Sequence, residues 1–224
     1  MEPDLQPEPE VETQDESTFV EGKIFSGKKF IFLGFDEGEQ SSLYEFVVER
    51  GGKICPQNKR QVADYGVVPV FGYPVTVAVR EVVTYAWVQM CIEEEALLDI
   101  DSNTLFRPMD IIDETKPLKG CVISVSGFSG TQRGCITDLA EILGAICQDY
   151  FMKNASKGHL KCSHLVVNEP KGSKYSASVK WNIPAVDKEW IFACAQSGKR
   201  LPEENFLIET FSRSVQKPKK ETQA

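Results

Sequence analysis

The chain has 224 residues, a length that fits two domains of about 100 residues each better than one. Its hydrophobic content of 42% allows each half to bury a core, and no apolar run approaches the roughly 20 residues that span a bilayer. The formal net charge of −8 argues against general nucleic-acid binding, which requires a basic surface, but it does not exclude a small basic pocket.

Both ends of the chain have the composition of solvated tails. Residues 1–22 are rich in Glu, Asp, Gln and Pro and contain few apolar residues, which predicts a disordered acidic tail. Residues 211–224 are predicted to be a basic tail, because they are polar and include Lys217-Pro218-Lys219-Lys220. That short basic run is typical of a solvated terminus or of a fragment of a nuclear localisation signal.

The first half begins with a strand and an amphipathic helix. Residues 29–33 form an apolar run typical of a buried strand. Ser41 or Ser42 is the expected N-cap of the helix, and Gly51-Gly52 is expected to end it. Apolar residues at i, i+3 and i+4 define the buried face of this helix: Leu43, Phe46 and Val47.

The rest of the first half alternates short strands with one clear helix. Strands are predicted at short apolar segments: Lys53-Ile54, Val67-Val68 and Val82-Val83. Residues 71–79 contain few helix formers and are expected to form a loop or an eroded helix. Thr84 is the expected N-cap of a helix with Trp87 and Cys91 on one face. Residues 108–117, which carry Asp, Pro and Thr, are predicted to be an interdomain linker.

The second half repeats this order of elements. Strands are predicted at residues 121–125, 146–147, 164–167 and 185–186, and helices lie between and after them. The motif Trp-x-x-x-Cys occurs in the final helix of each half, at Trp87/Cys91 and at Trp190/Cys194. Such self-similarity predicts two copies of one domain. Strands that alternate with helices indicate an α/β fold with a parallel sheet and helices on both faces.

Neither catalysis nor a metal site is predicted. The seven cysteines include no C-x-x-C pair and no secretory segment is found, which indicates reduced core cysteines in an intracellular protein. Cys162 and His164 come nearest to a metal motif, and core packing is the favoured interpretation. His159 is the other histidine, and no nucleophile–base order is present. We therefore expect a protein that is not an enzyme and that holds no cofactor.

One set of polar residues has the chemistry of a phosphate site. Ser126 and Gly127 follow a predicted strand, Arg133 lies near the start of the next helix, and Lys174 lies at the start of a later one. A hydroxyl, a glycine N–H, a guanidinium and an ammonium group donate hydrogen bonds and neutralise charge around a phosphate. A helix N-terminus adds its own positive field.

Short motifs mark the two halves, of which the glycine that ends a helix and the central Trp occur in both and the Ser-His-Leu-Val strand in the second. They are a helix that ends in Gly-Gly or Gly-Ala, a Ser-His-Leu-Val strand and a final helix with a central Trp: Gly51-Gly52, Trp87, Leu143-Gly144-Ala145, residues 163–166 and Trp190. Together they resemble the BRCT domain over residues 25–107 and 118–209. The resemblance implies two BRCT domains, residues 23–107 and 118–210, each a four-stranded parallel sheet flanked by three helices.

The resemblance also implies a function, the non-catalytic binding of phosphoserine or phosphothreonine in partner proteins. The family's phosphate pocket uses a Ser or Thr after the first strand, the next backbone N–H, a basic residue in the first helix and a Lys at the start of the second helix. Ser126, Gly127, Arg133 and Lys174 match this pattern. Lys153 and Lys157, in a basic loop, are expected to contact the peptide around the phosphorylated residue.

The first repeat departs from the pocket pattern. When Gly34-Phe35 is aligned with Gly127-Phe128, Leu33 takes the place of Ser126, and no lysine precedes a second helix in residues 71–79. Because Leu33 cannot donate a hydrogen bond, we predict that the first repeat binds no phosphate. It is then expected to be a scaffold, a stabiliser or a dimer surface.

The implied setting is nuclear scaffolding in the DNA-damage and replication checkpoint, at chromatin and damage foci. The expected partners are phosphorylated nuclear proteins, such as the mediator of the DNA-damage checkpoint and the Bloom helicase, with a homodimer as a further expectation and no membrane contact. Two alternatives stay open. One is binding of a DNA 5′-phosphate through the same pocket, which the acidic net charge opposes. The other is a protein-interaction or dimerisation module that does not depend on phosphate.

Overall fold

The computed structural model describes residues 23–56, 62–71, 73, 78–111 and 115–208. The predicted acidic tail, residues 1–22, and the predicted basic tail, residues 211–224, both lie outside the described residues. The described chain forms two four-stranded sheets in which every strand pair is parallel. No helix among the described residues is long and apolar enough to cross a membrane.

The first sheet has the strand order β2-β1-β3-β4. Its elements in chain order are β1 (Lys29–Phe32), α1 (Glu37–Glu49), β2 (Lys53–Ile54), β3 (Ala63–Val68), β4 (Val79–Thr84) and α2 (Tyr85–Glu93). The described residues of segment 71–79 contain no helix, and Phe71 instead forms an isolated bridge with Met109. Two α-helices therefore flank the first sheet in the part of the chain that the structure describes.

The predicted cap of helix α1 is wrong. The helix begins at Glu37, and its N-cap is Asp36, whose Oδ1 accepts from the Glu39 backbone N–H at 2.9 Å. Glu39 Oε2 accepts in turn from the Asp36 N–H at 3.2 Å, which completes a capping box. Because this reciprocal pair starts the helix early, Ser41 and Ser42 lie within it and donate to backbone carbonyls four residues before them.

The second sheet repeats the order, as β6-β5-β7-β8. Its elements are β5 (Val122–Ser126), α3 (Gly130–Ile142), β6 (Ile146–Cys147), β7 (His164–Val167), α4 (Ser173–Trp181), β8 (Ala185–Val186) and α5 (Glu189–Ser197). Three helices flank this sheet. The predicted α/β fold with parallel four-stranded sheets is thus confirmed.

The repeated Trp-x-x-x-Cys motif has the same structural role in both halves. The indoles of Trp87 and Trp190 are fully buried, and their Nε1 atoms donate to backbone carbonyls eleven residues later, at 3.0 and 2.9 Å. In each half the cysteine Sγ accepts from a backbone N–H seven residues later, at 3.3 Å. The motif therefore fixes the turn that follows the last helix of each repeat to the core.

The two halves share a hydrophobic core. One buried cluster joins residues of the first half to the core of the second half, which includes Ile136, Leu139 and Trp190. The members from the earlier part of the chain are Val70, Ala86, Leu105 and Met109. Met109 belongs to the predicted linker, yet only 4% of its surface is exposed and its N–H donates to the Val70 carbonyl at 2.9 Å. Met109 thus packs as part of the core between the repeats.

Candidate functional site

The site is built at the carboxyl end of strand β5. Parallel strands with helices on both faces place their loops, and commonly their ligands, at this edge. Ser126 ends the strand, is half-buried, and its hydroxyl hydrogen-bonds to no described residue. Gly127 follows with φ +78°, and a Cβ there would come within 3.3 Å of the Asn168 side chain. Glycine thus allows the chain to turn tightly beside the serine hydroxyl.

Helix α3 brings Arg133 to the end of β5. The guanidinium group donates through Nη1 to the Val125 carbonyl at 3.0 Å and through Nη2 to Asp149 Oδ1 at 2.8 Å. The Arg133 side chain is one-third exposed, whereas that of Asp149 is 85% exposed. Arg133 therefore faces solvent at the edge of the sheet, with part of its donor set already used.

Helix α4 brings Lys174 to the same point from the other side. Its Nζ donates to Ser124 Oγ at 3.0 Å and to the Val125 carbonyl at 3.1 Å. Burial and the nearby Arg133 guanidinium lower the pKa of Lys174 below its ordinary value, and Asp149 opposes this shift. The N-cap of α4 is Gly172, which has no side chain to cap the first turn.

The two cations share one acceptor. Arg133 Nη1 and Lys174 Nζ both donate to the Val125 carbonyl, which lies one residue before Ser126. Burial is the main cause of the lowered pKa of Lys174, and repulsion between the two like charges adds to it. An anion placed between them and the Ser126 hydroxyl would remove the repulsion and accept hydrogen bonds from all three groups.

Comparison with known proteins identifies the fold. Residues 113–195 match the model of the BRCA1 C Terminus (BRCT) domain. The solved structure of BRCT3,4 of Rad4 from S. pombe superposes with a TM-score of 0.67 at 22% sequence identity and covers 83% of this chain and 100% of that chain. The fold is that of a tandem BRCT pair.

Two curated relatives match most of this chain. A BRCT domain-containing protein of Arabidopsis thaliana is 26% identical over 200 residues, which is 86% of this chain and 14% of the relative. The S-M checkpoint control protein rad4 of Schizosaccharomyces pombe is 25% identical over 194 residues, 80% of this chain and 28% of the relative. This chain therefore spans less than a third of either relative.

Two residues of the candidate site are missing from the sequence-based prediction. Ser124 is fully buried, and its Oγ accepts from Lys174 Nζ. The same hydroxyl donates to the Asp149 backbone carbonyl at 3.3 Å. Ser124 lies two residues before Ser126 on one strand, so strand alternation places both serines on the same face. Asp149 follows β6, the parallel neighbour of β5, and its place near the carboxyl end of that strand could have indicated it.

The two loop lysines of the prediction lie in the connection between β6 and β7. Lys153 and Lys157 are both exposed, and neither forms an ion pair with a described residue. The loop is closed at its base by Gln148, whose amide donates to the Leu160 carbonyl and accepts from the Leu160 N–H, at 2.9 and 3.1 Å. These lysines lie on a loop closed by Gln148, and neither forms a hydrogen bond or ion pair with Ser126, Gly127, Arg133 or Lys174.

The first repeat has different side chains at the corresponding place. Gln40 Nε2 donates to the Phe32 carbonyl at 3.4 Å, as Arg133 does to the Val125 carbonyl in the second repeat. Leu33 is buried where Ser126 is half-buried. A Cβ on Gly34 would lie 2.3 Å from the Tyr73 ring, so this ring lies against the turn, whereas the nearest side chain to a Cβ on Gly127 is that of Asn168 at 3.3 Å.

The cysteines belong to the packing of both repeats. All seven are free, six are buried and Cys147 is half-buried. Burial raises the pKa of the Cys91 thiol to about 11 and that of Cys147 to about 12, so both are protonated near neutral pH. Among the described residues no group of three or more His, Cys, Asp or Glu side chains could hold a metal ion.

Proposed function

We propose that this chain is a non-catalytic adaptor whose second BRCT repeat binds phosphoserine or phosphothreonine in partner proteins. One observation carries the proposal. Arg133 and Lys174 come from two different helices, and both donate to the Val125 carbonyl. The neighbouring hydroxyl of Ser126 hydrogen-bonds to no described residue. With the Gly127 N–H, these donors match the charge and the three acceptor oxygens of a phosphate group.

The electrostatics of the pocket favour a phosphate ligand. A phosphate group carries about −1.5 to −2 charges at neutral pH, whereas burial and the neighbouring Arg133 make the charged form of Lys174 less favourable in the free protein. Hydrogen bonds to charged groups contribute roughly 1.5–3 kcal/mol each. Binding should weaken below about pH 6, because the phosphate then loses its second charge.

The first repeat is proposed to bind no phosphate. Gln40 is neutral where Arg133 is charged, the Leu33 side chain has no donor, and the Tyr73 ring lies against Gly34. Its shared core with the second repeat supports a role as scaffold or stabiliser of the phosphate-binding repeat. A homodimer through the first repeat is a further proposal, which the mass of the chain in solution would test.

The proposed setting is the DNA-damage and replication checkpoint in the nucleus, at chromatin and damage foci. A checkpoint control protein that is 25% identical to this chain over 80% of its length supports this setting. We infer from four segments, residues 62–65, 172–175, 180–186 and 205–209, a resemblance to the fourth and fifth BRCT repeats of DNA topoisomerase II-binding protein. On this basis we propose phosphorylated forms of the mediator of the DNA-damage checkpoint and of the Bloom helicase as partners.

The proposed domain limits follow the repeated elements. The first repeat comprises residues 23–107 and the second residues 118–210, joined by residues 108–117 and flanked by an acidic and a basic tail. Lys153 and Lys157 are proposed to contact the peptide beyond its phosphate, since their side chains are exposed on an ordered loop of the phosphate-binding repeat.

The proposal is tested by binding of the whole chain to a phosphopeptide library. The same peptides without phosphate and a 5′-phosphorylated DNA duplex are measured in parallel. Lys171→Ala is a matched control for Lys174→Ala, because Lys171 is exposed, lies three residues earlier and pairs with Glu169. Phosphate-dependent peptide binding that is lost only in Lys174→Ala is the expected result.

The other outcomes separate the alternatives. Binding that is indifferent to phosphate and to Lys174 would contradict the pocket and leave a packing or dimerisation module. Preference for the DNA duplex would instead assign the pocket to DNA 5′-phosphate recognition. Recognition of a DNA 5′-phosphate also requires a basic path for the DNA backbone. Lys171, near the pocket, is already paired with the Glu169 carboxylate and so contributes little to such a path.

A further inference from the structure

The phosphate pocket already contains a carboxylate of its own repeat. Asp149 Oδ1 accepts from Arg133 Nη2 at 2.8 Å, and its backbone carbonyl lies 3.3 Å from Ser124 Oγ. The segment is thus tied to strand β5 through its backbone, while 85% of the side chain is exposed. The carboxylate can leave Arg133 for solvent by rotating about its own side-chain bonds, without movement of the backbone.

The pairing is one-sided. Asp149 forms an ion pair with Arg133, whereas Lys174 forms none with any described residue and donates only to the neutral oxygens of Ser124 and Val125. A cavity of about 230 Å³ lies beside Arg133 and Asp149, and Glu141 and Gln148 also line it, whereas Lys174 and Ser126 do not.

From this arrangement we propose that Asp149 is an internal competitor that lowers the affinity of the pocket for every anion. This inference rests on the proposed function and extends it. An incoming anion must displace the carboxylate from Arg133 before it can use the full donor set. A single carboxylate from a peptide exchanges one charge for an equal one at Arg133, so it gains little. A phosphate carries about −1.5 to −2 charges and can engage Arg133 and Lys174 together.

Asp149 therefore lowers the affinity for all anions equally and does not favour one anion over another. Its displacement costs the same for any ligand that binds Arg133, so strong ligands remain bound and weak ones, such as free phosphate or an acidic peptide, fall below useful affinity. The ion pair is largely exposed, and such pairs contribute roughly 0.2–1 kcal/mol. Its loss should tighten binding by about two- to fivefold.

The test compares Asp149→Asn with the wild-type chain for two probes, a phosphopeptide from the library and inorganic phosphate followed by NMR. The affinity for both probes should rise by the same factor of about two to five. Asp149→Glu keeps the charge and should resemble the wild type. Asp138→Asn is the matched control, because Asp138 is exposed on the same helix as Arg133 and forms no ion pair with a described residue.

Each outcome decides between explanations. Unchanged or weaker binding by Asp149→Asn, with phosphate-dependent binding intact in the wild type, would overturn this inference alone and make Asp149 a residue that positions Arg133. An increase for the peptide but not for inorganic phosphate would also overturn it, since Asp149 would then contact the peptide. A wild-type chain that does not distinguish phosphorylated from unphosphorylated peptide would overturn the proposed function and this inference together.

Discussion

At the scale of single residues, His164 links the stability of the second repeat to pH. Its ring is buried, stacks on Trp190 at 4.6 Å, and lies 3.0 Å from Glu203 Oε1 through Nε2. Burial lowers the pKa of His164 below its ordinary 6.5. Burial alone would raise the pKa of the Glu203 carboxyl, but hydrogen bonds from Arg200 and His164 outweigh it and lower that pKa to about 2.

The sign of the pH dependence follows from these shifts. Below pH 6.5 the unfolded chain takes up a proton at His164 that the folded chain binds less readily, so the free energy of unfolding falls as the pH falls. The Glu203 contribution is present above pH 4.5 and is lost as the pH falls toward about 2.

Urea unfolding between pH 7.5 and 5 should show a decrease in the free energy of unfolding that is smaller in His164→Gln. His159→Gln, at a half-buried position outside this contact, is the control. Equal pH slopes in the two variants would contradict this origin.

Sequence reasoning could find the pocket residues only where residue type and resemblance agreed. The positions of Ser126, Gly127, Arg133 and Lys174 followed from a family pattern, and the structure brings Arg133 and Lys174 to one carbonyl. Sequence reasoning could not show which groups hydrogen-bond to these side chains. Whether the Asp149 carboxylate reaches Arg133 depends on the direction of the chain after β6, which no local pattern records.

At the scale of elements, a side chain of the first repeat caps a helix of the second. Ser129, the N-cap of α3, makes no side-chain hydrogen bond. Glu93 Oε1 instead accepts from the Thr131 N–H at 3.0 Å and lies 2.6 Å from its hydroxyl. A carboxylate is favoured at a helix N-terminus, so this contact stabilises both α3 and the placement of the two repeats.

Glu93→Ala should lower the free energy of unfolding by about 1 kcal/mol, because the N-terminal N–H of Thr131 loses its acceptor. Urea unfolding gives the free energy, and hydrogen exchange should show faster exchange at the Thr131 amide. Glu94→Ala changes the same charge at the next, exposed position and should have little effect. Equal effects of the two variants would show that the cap contributes nothing.

The elements themselves were predictable to different degrees. Strands and helices with clear apolar spacing were found, because their burial pattern is set by their own sequence. The start of α1 was misplaced, since the reciprocal bonds of Asp36 and Glu39 begin the helix before its apolar stripe. Strand β4 (Val79–Thr84) extends beyond the predicted Val82-Val83, because its pairing with β3 also includes exposed residues.

At the scale of the whole molecule, the shared core predicts that the two repeats unfold together. Val70, Ala86 and Met109 are buried in one cluster with the core of the second repeat. Met109→Ala should destabilise the chain by about 2–5 kcal/mol, and far-UV circular dichroism and tryptophan fluorescence should report one coincident transition. Leu97→Ala, at an exposed position, is the control. Two separate transitions would contradict a shared core.

The central claim is that Arg133 and Lys174 form a phosphate pocket, and calorimetric titration of one phosphopeptide tests it most directly. The variants are Lys174→Ala and Arg133→Gln, the latter copying the Gln40 of the first repeat. Each loses a charged hydrogen bond worth roughly 1.5–3 kcal/mol, so each should weaken binding by about ten- to a hundredfold. Lys171→Ala should bind as the wild type does. Wild-type affinity in both pocket variants would contradict the account.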